Sequence, residues 1–123
     1  MVARILVVDD ELYFRSFVRR VLERAGHEVR EADGGNQALE MLAESPADIV
    51  ITDLLMPTGR GMDTITSCRK KFPDTVIIAI SGIGAYLPVA QRLGAHHTME
   101  KPINNRALVE LVERCSPARK PGS

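Results

Sequence analysis

Long apolar runs and a surplus of either charge are missing from this chain, and aromatic rings are few. No apolar run approaches the roughly 20 residues needed to span a bilayer. The first one, Ile5-Leu6-Val7-Val8, is too short for the core of a signal peptide, and no cleavage-type segment follows it. The reading is therefore a cytoplasmic protein with no membrane partner. Lys+Arg and Asp+Glu balance at 16 each, so no global basic field draws in nucleic acid. Aromatic residues make up only 4% of the chain, which leaves little for stacking a flavin or a base. Cys68 and Cys115 lie far apart in predicted helices. They read as small packing residues in a reducing compartment, not as a disulfide.

What is present is ordinary in amount and informative in order. A length of 123 residues suits one domain with one core. Hydrophobic residues at 45% and charged residues at 26% fit a globular protein. Strand candidates are Arg4–Asp9, Glu28–Ala32, Asp48–Asp53, Thr75–Ser81 and His97–Glu100. Ile5–Val8, Ile49–Ile51 and Val76–Ile80 are nearly continuous apolar runs, the pattern of strands covered on both faces. The second candidate is weaker and suits an edge; the fifth is the least apolar. Between the strands lie helical patterns. Phe14, Phe17, Val18, Val21, Leu22 and Ala25 keep three-and-four spacing until Gly26. Ala38, Leu39 and Leu42 mark a second helix before Pro46, and Met62, Ile65 and Phe72 a third before Pro73. Tyr86–Leu93 is a short fourth, stopped by Gly94. The fifth carries Ala107, Leu108, Leu111, Val112 and Cys115, with Asn104 as its N-cap. Strict alternation of strand and helix predicts an α/β, doubly wound (βα)5 fold with a central parallel sheet. Ligands of such folds sit at the carboxyl ends of the strands, where strand order reverses.

Polar groups gather at those ends. Asp9 and Asp10 close the first strand. They read either as a helix N-cap, for which one Asp suffices, or as ligands of a hard divalent cation such as Mg²⁺. Asp53 closes the third strand. Alone it too reads as a cap; beside Asp9 and Asp10 it makes a cluster that a cation would keep ionised. An ionised Asp beside Mg²⁺ can attack a phosphoryl group and form an aspartyl phosphate. Ser81-Gly82 reads as a turn, or as a hydroxyl that donates to a phosphoryl oxygen. Lys101 reads as a solvated charge, or as a cation that pairs with carboxylate and then with phosphate. Lys101-Pro102 is a candidate cis peptide.

The segments ILVVDDE (5–11), ADIVITDLLMP (47–57), Gly61, IIAISG (77–82), LGA (93–95) and EKPI (100–103) together resemble the receiver domains of response regulators, of the chemotaxis CheY type. The resemblance covers nearly the whole chain, with residues 1–115 as the receiver and 116–123 as a loose tail. It implies a five-stranded, flavodoxin-like sheet of order 2-1-3-4-5. It implies that Asp53 accepts a phosphoryl group from the phosphohistidine of a histidine kinase or phosphotransfer protein. Asp9 and Asp10 then match the Mg²⁺ site, Asp10 directly and Asp9 largely through water, with the Leu55 carbonyl as a further ligand. Ser81 and Lys101 match the two residues that contact the phosphoryl oxygens. The expected product is a switched protein-binding surface for a downstream protein, in a monomer or weak dimer without direct nucleic-acid binding. Such a domain promotes its own phosphorylation and dephosphorylation only, so it is not expected to be an enzyme in the ordinary sense.

Two features depart from the family pattern. The usual Tyr or Phe three residues before the Lys is Thr98, a switch position where Thr cannot fill the same space. The segment from Ser81 to Gly94 is short, which limits the fourth helix to about two turns. Tyr86 has two readings, packing within that helix or a substitute for the missing ring. Leu55 and Ile83 are expected to border the site with apolar groups that position water poorly. His96 and His97 point to opposite faces of a strand and do not read as a metal pair; His27 reads as solvated. Three other functions compete. A haloacid-dehalogenase-like phosphohydrolase needs an acid where Leu55 stands. A flavin carrier conflicts with the clustered acids. A receiver fold kept for docking alone would tolerate Thr98.

Overall fold

Ile and Val runs too apolar for a half-solvated sheet form the centre of the molecule. The computed structural model describes residues 2–54 and 61–117. Its strands are β1 (Arg4–Val8), β2 (Glu28–Ala32), β3 (Ile49–Asp53), β4 (Val76–Ser81) and β5 (His97–Glu100). Its helices are α1 (Leu12–Arg24), α2 (Gly35–Glu44), α3 (Gly61–Lys71), α4 (Leu87–Leu93) and α5 (Asn105–Cys115). The sheet is parallel throughout, in the order β2-β1-β3-β4-β5. The two strands read as least apolar, β2 and β5, are its edges. The order reverses between β1 and β3, where Val8 pairs with Thr52.

Strand alternation divides the core into two layers. Leu6, Val8, Val50, Ile77 and Ala79 pack with Ala38 and Leu42 of α2, Ile65 and Cys68 of α3 and Ala90 of α4. Ile5, Val7, Ile49, Ile51, Ile78 and Ile80 pack with Val18 and Leu22 of α1 and Leu108, Leu111 and Val112 of α5. Asp9 and Asp53 fall on the register of the α1/α5 layer, whereas Thr52, Ser81 and Thr98 fall on that of the α2–α4 layer. Gly26 ends α1 with φ of +97°, a conformation glycine adopts freely. Asn104 caps α5 as expected, its Oδ1 accepting from the Ala107 N–H at 3.0 Å. The Lys101-Pro102 peptide is cis. Both cysteines are free, and burial pushes the Cys68 thiol up to about 11, which suits an inert packing group.

Several expectations need correction. Phe17 is not a core residue: it is 41% exposed, because α1 presents Val18 and Leu22 inward instead. The fourth helix is split, with a 3-10 turn at Gly84–Tyr86 leading into α4. Tyr86 lies on that turn and is 40% exposed, which suits the packing reading better than a ring buried in the interior. His27 is buried, not solvated. Its Nδ1 accepts from the Ala3 N–H at 3.0 Å, and its Nε2 lies 3.0 Å from Glu113 Oε1 on α5. A buried imidazole is tolerated there because both ring nitrogens have partners. Leu55 and most of the predicted tail lie outside the described residues.

His27→Ala would leave the Ala3 amide unpartnered and open a void. The expected cost is roughly 2–4 kcal/mol, read as a lower urea midpoint at unchanged m-value.

Candidate functional site

The ends of β1 and β3 bring three carboxylates together at the point where strand order reverses. Asp9 is held there by the ladder, its N–H donating to the Ala32 carbonyl at 3.1 Å. Its Oδ1 accepts from the Glu11 N–H at 2.8 Å, at the entry to α1. That satisfies one of the free amides at the start of the helix, so part of the capping reading holds, although the N-cap position itself is Glu11. Arg15 fixes the same corner: its Nη1 donates to the Asp9 carbonyl at 2.7 Å, and its Nε to Glu31 at 2.9 Å. Arg19 reaches the other Glu31 oxygen at 3.0 Å. These bonds tie the first turns of α1 to the edge strand β2.

Asp53, the last residue of β3, is buried, as is Asp9; Asp10 is exposed. One oxygen from each of these residues lies within 4.8 Å of the others. Lys101 reaches in from the end of β5, its Nζ 3.1 Å from Asp53 Oδ2 and 3.6 Å from Asp9 Oδ2. The same ammonium stands 4.0 Å from the centroid of the Phe14 ring. Asp9 Oδ2 is buried and, among the described residues, has no hydrogen-bond partner. Burial pushes the Asp9 carboxyl up from 3.8 to about 6; the Glu11 amide opposes this, and the nearby Asp53 charge adds to it. A buried oxygen without a hydrogen bond, inside a cluster of carboxylates, is a donor set suited to a hard cation.

Ser81 closes the rim from the α2–α4 layer. It is fully buried, and its Oγ accepts from the Ile83 N–H at 3.0 Å, leaving the O–H free to donate. The Lys101 amide donates to the Ser81 carbonyl at 2.9 Å, so the two residues share one corner. The Ile83 side chain, two residues further on, is 46% exposed. Thr98, opposite Ala79 in the sheet, is half-buried. Gly61 begins α3 directly behind the site: a Cβ there would stand 2.5 Å from the Leu54 carbonyl oxygen and 2.8 Å from that of Asp53. Close backbone approach therefore requires glycine at this position. The site thus gathers Asp9, Asp10, Asp53, Ser81 and Lys101. Sequence reasoning reads Phe14 only as part of the apolar stripe of α1 and does not single out Arg15; their contacts across the fold reveal both. His96 and His97 stand away from the site, His96 accepting from the Ile77 N–H at 2.9 Å.

A doubly wound domain with an acidic pocket and a paired lysine at its switch point has the architecture of a receiver-type domain. The model of the response regulator receiver domain matches residues 5–113, and the chain belongs to that family. It is 34% identical over 121 residues to the DNA-binding transcriptional regulator NtrC of Azospirillum brasilense, a match covering 97% of this chain and 25% of that protein. It is 34% identical over 116 residues to the chemotaxis protein CheY of Thermotoga maritima, covering 92% and 97% of the two. The crystal structure of the receiver domain of NtrX from Brucella abortus superposes with a TM-score of 0.85 at 32% identity, covering 90% of this chain and 96% of that one. The chain thus spans nearly the whole of a CheY and about a quarter of an NtrC. Among the described residues, no helix is long and apolar enough to cross a membrane.

The raised Asp9 value fixes a sign. The folded state holds this proton up to about pH 6, whereas the unfolded chain releases it near 3.8. In metal-free buffer the Asp9 contribution to stability therefore falls as pH rises from about 4 to 6 and stays low above that. The full effect is roughly 3 kcal/mol. Asp9→Asn is expected to unfold at higher temperature than wild type at pH 7.5, with the gap closing towards pH 4.5 in thermal melts.

Proposed function

We propose that this domain accepts a phosphoryl group on Asp53 and passes the signal on through an altered protein-binding surface. The observation that carries this reading is the Lys101 ammonium shared between Asp53 at 3.1 Å and Asp9 at 3.6 Å. A carboxylate beside a cation, at the strand ends of a doubly wound fold, is a nucleophile with its charge partner already in place. An Asp53 oxygen forms the new bond to phosphorus as the bond from phosphorus to the donor imidazole breaks. The imidazole nitrogen leaves with the electron pair and is available for protonation. Lys101 loses its full carboxylate partner in that step and turns to the phosphoryl oxygens, while the Ser81 hydroxyl donates to another of them. Mg²⁺ held by Asp9, Asp10 and Asp53, with the Leu55 carbonyl, would offset charge on the transferring group.

The donor is a histidine kinase or phosphotransfer protein, and the domain works in the cytoplasm as a signalling switch, not a turnover enzyme. Residues 1–115 form the receiver. The downstream partner is a protein, reached by a monomer or weak dimer. Thr98 sets how the switch is read out: without a ring at that position, movement of Ser81 has no large side chain to draw inward. A phosphorylation-independent docking domain is the second reading, and the half-buried Thr98 is what favours it.

Incubation with Mg²⁺ and radiolabelled acetyl phosphate is expected to label wild type but not Asp53→Asn; absence of label on wild type would refute the proposal. Label without altered amide exchange at residues 82–100 would favour the docking reading. The label is also expected to decay slowly in purified protein, because apolar Ile83 at the mouth holds an attacking water poorly. Replacing Ile83 with Glu should shorten the half-life, as read by loss of label after the donor is removed.

A further inference from the structure

The Lys101 ammonium has a neighbour that phosphoryl transfer itself does not require. Its Nζ is 4.0 Å from the centroid of the Phe14 ring, a distance that sets the charged head over the ring. The electron-rich face of an aromatic ring attracts a cation, and does so more strongly where water is thinned out. The Lys101 side chain is only 24% exposed, and the carboxylates it meets are 2% and 7% exposed. Phe14 itself is half-buried and packs against the α1/α5 core layer. The ring is also held from behind. Its chain neighbour Arg15 is bonded to the Asp9 carbonyl and to Glu31, so the first turn of α1 cannot drift from the site.

From this we infer that Phe14 is a positioning residue for phosphoryl transfer, acting through Lys101 by a cation–π contact. In the resting site the ammonium is held by Asp53, by Asp9 and by the ring. When the Asp53 oxygen bonds to phosphorus, the Asp53–Lys101 attraction weakens, and the ammonium must cross to the phosphoryl oxygens. Hydrogen-bonding partners fix a lysine in one direction; a ring face attracts it without a preferred donor angle. Phe14 therefore keeps the charge within the site while its hydrogen bonds change. An aliphatic side chain of similar volume would fill the same space without holding the ammonium, leaving Lys101 to spend more time in solvent. A ring at position 14 thus speeds phosphorylation without touching the phosphoryl group.

The inference rests on Asp53 as acceptor, and the test separates the two. The full chain would carry Phe14→Leu, Phe14→Tyr, or mono-, di- and trifluorinated phenylalanine at position 14, the last three withdrawing ring electrons at nearly constant shape. Labelling by acetyl phosphate with Mg²⁺ forms the Asp53 oxygen–phosphorus bond as acetate leaves with the electron pair. The expected labelling rate falls stepwise with fluorination and by about fivefold in Phe14→Leu, while Phe14→Tyr stays within about twofold of wild type. In unphosphorylated protein, the Lys101 ε-methylene protons are expected to be shielded by the ring and to lose that shift in Phe14→Leu. Equal rates across the fluorinated series, or unshielded Lys101 protons in wild type, would overturn the role of Phe14 alone. Wild-type protein that takes no label overturns the Asp53 reading and this inference with it.

Discussion

One ammonium balances the acidic corner of this molecule. Asp9 and Asp53 are buried side by side at the ends of adjacent strands, an arrangement that neither packing nor hydrogen bonding makes comfortable. Lys101 makes it tolerable by standing between them. The compensation is incomplete, since Asp9 Oδ2 has no hydrogen bond among the described residues and its carboxyl is held well above the usual range. Stability given up here leaves a site ready to receive a cation and a charged ligand. The rest of the fold serves to hold that corner in place. The order reversal puts β1 beside β3, and Arg15 anchors the turn between strand and helix.

Much of this was legible in the sequence, for a physical reason. Strands buried on both faces must be apolar along their whole length, so the first polar residue after each marks the sheet edge. Asp9, Asp53 and Ser81 stand out that way, whereas Lys101 follows the polar edge strand β5 and stands out by its place before Pro102 and by the family resemblance; the glycines and Asn104 mark helix ends. What failed depended on contacts between distant segments. His27 looked solvated because its partners, Ala3 and Glu113, lie 24 and 86 positions away in the chain. Phe17 fitted the helical stripe, but α1 is rolled so that Val18 and Leu22 face the core. Phe14 fitted the same stripe and was read as packing, although its ring also faces a charge supplied from the far end of β5.

The family relationship and the gathered carboxylates agree with the family pattern, whereas Thr98 and the turn after Ser81 depart from it. Tyr86 is 40% exposed, and the first turn after Ser81 is 3-10 rather than α. With Thr98 half-buried and no aromatic ring at that position, the switch proposed above would have no large side chain to swing there.

The alternation of the strands has a consequence of its own. Asp9 and Asp53 belong to one layer, whereas Ser81 and Thr98 belong to the other. The sheet between them is a partition that hydrogen bonds make stiff and side chains cannot cross. A group lodged at its edge between Asp53 and Ser81 touches both rooms at once. In the function proposed above, its arrival would be met by the fixed charges of one layer and by the hydroxyl of the other. The wall itself need not move.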